Sequence, residues 1–170
     1  MKKPKPRLDL PPRASDNLQR ALDPSPDPKM LEQLSNTAFY RGYAKHKSAP
    51  QAFGLPPYAK PRGDSTLCDT HAGFNKEQIG VIPRLLRRGI KAGLIASSTR
   101  LIWTISDEGW IFEGRVTNIE QREYHGYPLR PSEPIAEAVY RRFCAWAAIH
   151  GEAADKQAAS NCRDLYGFTP

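Results

Sequence analysis

The stretch Leu101-Ile102-Trp103-Thr104-Ile105-Ser106-Asp107-Glu108-Gly109-Trp110-Ile111-Phe112-Glu113-Gly114-Arg115-Val116-Thr117 decides the fold. In its first half Leu101, Trp103 and Ile105 share one face, while Thr104 and Ser106 take the other. In its second half Trp110, Phe112 and Val116 are opposed by Glu113, Arg115 and Thr117. A period of two on both sides predicts two strands. Asp107-Glu108-Gly109 between them predicts a three-residue hairpin loop with glycine at the left-handed position. A hairpin alone is marginal, so its apolar face must pack on helices or further strands.

The flanking segments supply those partners. Upstream, Ile79, Ile82, Leu86 and Ile90 recur at helical spacing, preceded by Asn75 and Gln78 in a capping-box arrangement. Pro83 predicts a break in that helix or the start of a second one, and Gly89 is expected in a left-handed cap with Ile90 folded back on the helix. Further upstream, Pro28 to Ser35 predicts a short helix with Met30, Leu31 and Leu34 on one side. Downstream, Glu133 to about His150 predicts a longer one, with Ser132 as N-cap and Pro134 in the first turn. Its stripe is Ile135, Val139, Phe143, Trp146 and His150, its wetter side carries the Glu137–Arg141 pair, and Gly151 ends it. The expected class is α+β, a small antiparallel sheet built around the 101–117 hairpin and flanked by helices.

Charge and proline divide the chain further. Of 170 residues with a formal charge of +7, residues 1–62 hold 12 Lys and Arg against five acidic residues, so the whole excess sits there. The same third carries 11 of the 16 prolines, in runs such as Lys2-Lys3-Pro4-Lys5-Pro6-Arg7. Proline bars helix continuation, and low apolar content leaves little burial to offset chain entropy. Residues 1–28 therefore read as a flexible basic arm. Residues 29–151 read as a single α+β domain, with an irregular Pro/Gly-rich connector over 39–74. Residues 152–170 read as a C-terminal extension whose Leu165-Tyr166-Gly167-Phe168 end docks or frays. A basic arm draws polyanions, and each phosphate it neutralises releases counterions.

Several classes are excluded at this level. No stretch approaches the roughly 18–20 consecutive apolar residues of a spanning helix, and the basic start has no apolar run of a secretory signal behind it. Three cysteines, 68, 144 and 162, form no disulfide framework, so a reducing, cytoplasmic compartment is expected, with delivery elsewhere as an effector also compatible. Cys68-Asp69-Thr70-His71 supplies two metal ligands where structural zinc needs four and catalytic zinc three. Asp64 and Asp69 lack the carboxylate company of a magnesium nuclease, and there is no phosphate-cradling glycine loop. No metal and no cofactor is expected.

The densest reactive cluster is Gln121-Arg122-Glu123-Tyr124-His125-Gly126-Tyr127-Pro128-Leu129, between the hairpin and the last helix. Metal-free RNA cleavage needs a base for the 2′-hydroxyl, an acid for the leaving oxygen and a cation for the phosphate. His125 suits the first two roles, Arg122 the third, and Tyr124 and Tyr127 suit stacking on an unpaired base. A second basic-aromatic group holds Tyr40, Arg41, Tyr43, Lys45, His46 and Lys47, where His46 supplies a complementary acid and the cations further phosphate contacts. The first expectation is thus a small metal-independent ribonuclease of bacterial-toxin type, with His125, Arg122, Tyr127 and His46 as its catalytic set. A plainer reading fits the same residues, since Gly-Tyr-Pro is good turn chemistry and tyrosines anchor loops by burying their rings.

The run Leu85-Leu86-Arg87-Arg88-Gly89-Ile90, then Ala92-Gly93-Leu94-Ile95 and the first hairpin strand, resembles the end of a winged-helix domain. That resemblance implies a helix entering a major groove, with Arg84, Arg87 and Arg88 on it. Between Ile79 and Leu101 there are five basic residues and no acidic one. The second expectation is therefore a non-catalytic DNA- or RNA-binding protein. A third makes the chain an interaction protein of a mobile element or secretion system, whose arm orders on an acidic protein partner or inhibitor. Nucleic acid, RNA ahead of DNA, is the expected partner, and no membrane.

Overall fold

A computed structural model describes residues 20–42, 47, 49–55, 72–73 and 76–170. Helix α1 (Pro28–Thr37) leads into a two-residue strand β1 (Phe39–Tyr40), and a 3-10 turn follows at Pro50–Phe53. A 3-10 segment (Lys76–Val81) runs into α2 (Ile82–Lys91), then come β2 (Leu101–Ile105), β3 (Ile111–Asn118) and β4 (Glu123–Pro128). Helices α3 (Pro134–His150) and α4 (Ala153–Tyr166) close the chain. The class is α+β, a four-stranded sheet in the order β1-β4-β3-β2. It is mixed rather than purely antiparallel, because β1 lies parallel to β4.

The hairpin forms as its turn chemistry requires. Gly109 has φ +96°, and its amide closes the loop onto the Ser106 carbonyl at 2.9 Å. Register then fixes the faces, since directly paired residues share one. Ile102, Gly114 and Gly126 line up on one side, with Thr104, Phe112 and Pro128 beside them. Trp103, Glu113 and Tyr127 line up on the other. Helices α1 and α2 cover the first face and α3 with α4 the second, so every residue of β2 is buried. Glu113, which alternates with the apolar residues of its strand, is thus fully buried. In a sheet covered on both sides, alternation separates two interiors rather than inside from outside.

Helix α2 begins beside Pro83 in its first turn, as the proline allows. Gly89 is not its cap. The left-handed residue is Gly93 (φ +71°), with Leu94 N–H donating to Gly89 C=O and Gly93 N–H to Ile90 C=O, a Schellman ending. Gly89 instead lets the helix backbone meet β2, where a Cβ would collide with the Trp103 carbonyl. Thr104 Oγ1 donates to Leu85 C=O across the same seam at 2.6 Å. Helix α2 is laid flat on the sheet, and the hairpin supplies the edge strand β2 and its neighbour β3.

Four boundaries move. The expected loop at 121–129 is mostly strand β4, and a bulge leaves Thr117 unmatched between Val116–Tyr124 and Asn118–Glu123. Residues 20–27, assigned above to the flexible arm, run along the domain: Leu22 packs on the core, Asp23 N–H donates to Ile95 C=O, and Arg142 donates to Asp23 C=O at 2.6 Å. The C-terminal extension is a helix. Glu152 and Asp155 form a capping box, and Ala158, Ala159, Cys162 and Tyr166 are buried against α3 and the sheet. Helix α3 starts at Pro134 with Glu133, not Ser132, as N-cap. Among the described residues no helix is long and apolar enough to cross a membrane.

Candidate nucleic-acid interface

The tyrosines of the 121–129 cluster serve the interior. Tyr124 is 1% exposed and donates to Thr99 C=O at 2.6 Å. Burial raises its pKa, against the lowering effect of Arg122. Tyr127 is 2% exposed, and its hydroxyl donates to the Glu113 carboxylate. Neither ring has a free face for a base, which corrects their assignment as stacking residues. His125 is buried on β4 beside Arg115, and its Nδ1 shares a 2.7 Å hydrogen bond with Thr117 Oγ1. Arg122 sits in the β3–β4 turn with φ +52°, its Nη1 donating to Thr37 Oγ1 at 2.6 Å. The guanidinium thus points to the end of α1.

Of the second basic-aromatic group, Tyr43, Lys45 and His46 lie outside the described residues, as do Asp64, Cys68, Asp69 and His71. Arg41 is largely exposed and pairs with Glu123 at 2.9 Å. Lys47 is 2% exposed, so its ammonium faces the protein rather than a phosphate.

The basic residues of α2 divide by face. Arg88 is buried: it donates to Ile105 C=O at 2.8 Å and pairs with Asp107 and Asp155 at 2.8 Å each. It joins α2, the hairpin loop and α4, and its reading as a nucleic-acid contact is corrected. Arg84 is half exposed and pairs with Asp107 at 2.5 Å. Burial pushes the Asp107 carboxyl up, but the hydrogen bonds from Arg84 and Arg88 outweigh it and hold the pKa below the usual value. Arg87 and Lys91, one helical turn apart, are exposed and form no ion pair among the described residues.

These cations border a groove of about 320 Å³ between α2 and the α3–α4 junction. Its other walls include Trp146 and His150 from α3 and Glu152 and Asp155 from the start of α4. Sequence reasoning set Trp146 and His150 on the core stripe. The stripe keeps to one face of the helix, and burial falls off along the axis toward its C-terminal end: Phe143 is fully buried, Trp146 partly, and His150 exposed. Asp155 faces Arg88 and Glu152 caps α4, which leaves Arg87, Lys91, His150 and the Trp146 indole N–H as groove donors with no partner among the described residues.

Among the described residues no three His, Cys, Asp or Glu side chains gather as metal ligands do. No protein-family model, curated protein or solved structure matches the chain. The class this site defines therefore rests on its geometry alone.

Proposed function

We propose that the protein binds nucleic acid without cleaving it, and that single-stranded RNA is its preferred form. The carrying observation is the pairing of exposed Arg87 and Lys91 with a groove that also holds Trp146 and His150. Two cations one turn apart suit successive phosphates, and the indole suits a base that has left the stack, as bases do in single strands. The Lys- and Arg-rich N-terminal stretch adds sequence-independent attraction. A reducing, cytoplasmic setting belongs to this reading, from the three scattered cysteines. The catalytic alternative loses support because Tyr124 and Tyr127 are committed to internal bonds and His125 is buried.

The test is fluorescence anisotropy with labelled single-stranded RNA, single-stranded DNA and duplex DNA, for the native chain and Arg87→Glu/Lys91→Glu. Binding should be tightest to single-stranded RNA, weaken at least about tenfold in the double variant, and show a shallower salt dependence there. Affinity unchanged by the double substitution would sink the proposal. RNA cleavage abolished by His125→Ala would instead restore the ribonuclease.

A further inference from the structure

Arg20 belongs to an extended segment with no helix or strand of its own, yet its side chain is only 7% exposed. Its Nε donates to Glu113 Oε2 at 2.9 Å, and its Nη2 forms an ion pair with Glu133 Oε1 at 2.9 Å without hydrogen-bond alignment. The two carboxylates come from β3 and from the residue before α3, far along the chain. Each is held by donors other than Arg20. Glu113 takes the Trp103 indole N–H at 2.9 Å and the Tyr127 hydroxyl, while Glu133 takes the Arg130 amide at 2.6 Å. Burial works against the Arg20 charge, but the two glutamates more than offset it and raise its pKa.

A flat cation with donors on two edges, gripped by two carboxylates that other groups hold in place, is how proteins recognise guanidinium rather than ammonium. We propose that Glu113 and Glu133 form a guanidinium-binding site built into the sheet, and that Arg20 fills it in cis as a removable plug. The site is placed by β3 and the residue before α3, and its carboxylates are held by Trp103, Tyr127 and the Arg130 amide. It therefore persists when the plug is withdrawn and takes another guanidinium, free or on an arginine side chain. Withdrawing Arg20 takes away the cation the two buried carboxylates share and leaves Arg115 3.5 Å from Glu113, an unfavourable balance, so the emptied site binds such a cation rather than standing open. In the sequence twelve residues separate Arg20 from the Lys2–Arg7 basic run. The inference is independent of nucleic-acid binding.

The test is chemical rescue in the full chain. Arg20→Ala should lower the thermal midpoint by about 5 °C or more. Guanidinium at about 10 mM, well below denaturing levels, should restore at least half of that drop saturably, by binding the folded state. Equal concentrations of sodium or ethylammonium should not, and Arg20→Ala/Glu133→Gln should show no rescue. If Arg20→Ala does not fold alone, its recovery on dialysis from urea into guanidinium, and not into sodium, is the equivalent result. An unchanged midpoint in Arg20→Ala, or rescue that is absent or equal for all three cations, overturns the proposal.

Discussion

Gly89 of α2 lies directly against the backbone carbonyl of Trp103 in β2, with no room between them for a methyl group. The contact explains how a ten-residue helix comes close enough for Thr104 to bond its backbone and for Arg88 to reach Ile105 C=O. In an exposed helix, Gly→Ala adds about 1 kcal/mol of stability. Here the methyl would collide with backbone, which cannot rotate away, and overpacking costs about 1–3 kcal/mol or more. Gly89→Ala should therefore destabilise the protein by about 2 kcal/mol in urea unfolding, against the propensity scale. A stabilised variant would show that α2 does not sit on β2 as described.

Tyr127 tests what the 121–129 segment is for. Its hydroxyl bonds the fully buried Glu113, which also serves Trp103 and Arg20. Tyr127→Phe removes one donor from a charged acceptor and should cost about 1–3 kcal/mol. RNA affinity measured well below the melting temperature should stay within about twofold, since the ring faces the interior. A large loss of binding with unchanged stability would return Tyr127 to the nucleic-acid site.

The elements that were legible in the sequence are those whose signal is local. Trp103, Ile105 and Gly109 write the hairpin within ten residues, Pro83 marks where α2 begins, and Pro134 and Gly151 frame α3. Strand β4 was hidden because both its faces are covered and because Gly126 and Pro128 are poor strand residues. Helix α4 was hidden because its buried side is small, Ala158, Ala159 and Cys162, and carries little hydropathy. The site was misjudged for a different reason. Arg88 and Glu113 look like surface residues until their partners arrive from elsewhere, Asp155 for the first and Arg20 for the second. A charge is buried by a neighbour in space, and a single sequence does not write that neighbour beside it.

Asp107 makes the hairpin loop sensitive to acid. Its carboxyl titrates below the ordinary carboxylate value because Arg84 and Arg88 hold the charged form. Its contribution is thus complete above an unfolded pKa of about 3.9 and is lost as pH falls through the lower folded value. Asp107→Asn should lower stability at pH 7 and reduce the further loss between about pH 4 and pH 2. The side chain is half exposed, so solvent screens the effect to a modest size. Equal acid sensitivity in both proteins would assign the transition to other carboxylates.

Trp146 reports directly on the groove. Trp103 is fully buried and Trp110 packs edge-on against Tyr166, whereas Trp146 lines the cation-bearing wall. Single-stranded RNA should quench tryptophan emission in the native chain and leave it nearly unchanged in Trp146→Phe. Trp146→Ala should weaken binding by about 1–3 kcal/mol while the salt dependence stays the same, because stacking releases no counterions. A changed salt slope with unchanged affinity would argue that the indole merely supports α3.

Helix α4 is tested at its last turn. The Tyr166 hydroxyl accepts from Ile111 N–H at 3.0 Å and donates to Leu129 C=O at 2.9 Å, joining the ends of β3 and β4 from a residue 55 positions beyond Ile111. Its ring meets Trp110 edge-on and stacks on Phe168. Tyr166→Phe keeps the ring and strands two backbone groups, for a cost of about 1–3 kcal/mol. Ending the chain at Gly151 also removes Ala158, Ala159 and Cys162 from the main core and Asp155 from Arg88. That truncation should give a protein with broad, non-cooperative unfolding and weakened near-ultraviolet dichroism, whereas Tyr166→Phe should unfold cooperatively at lower urea. If the truncated chain unfolded as sharply as the whole, α4 would be an appendage and the groove it completes with α2 would lose its fixed wall.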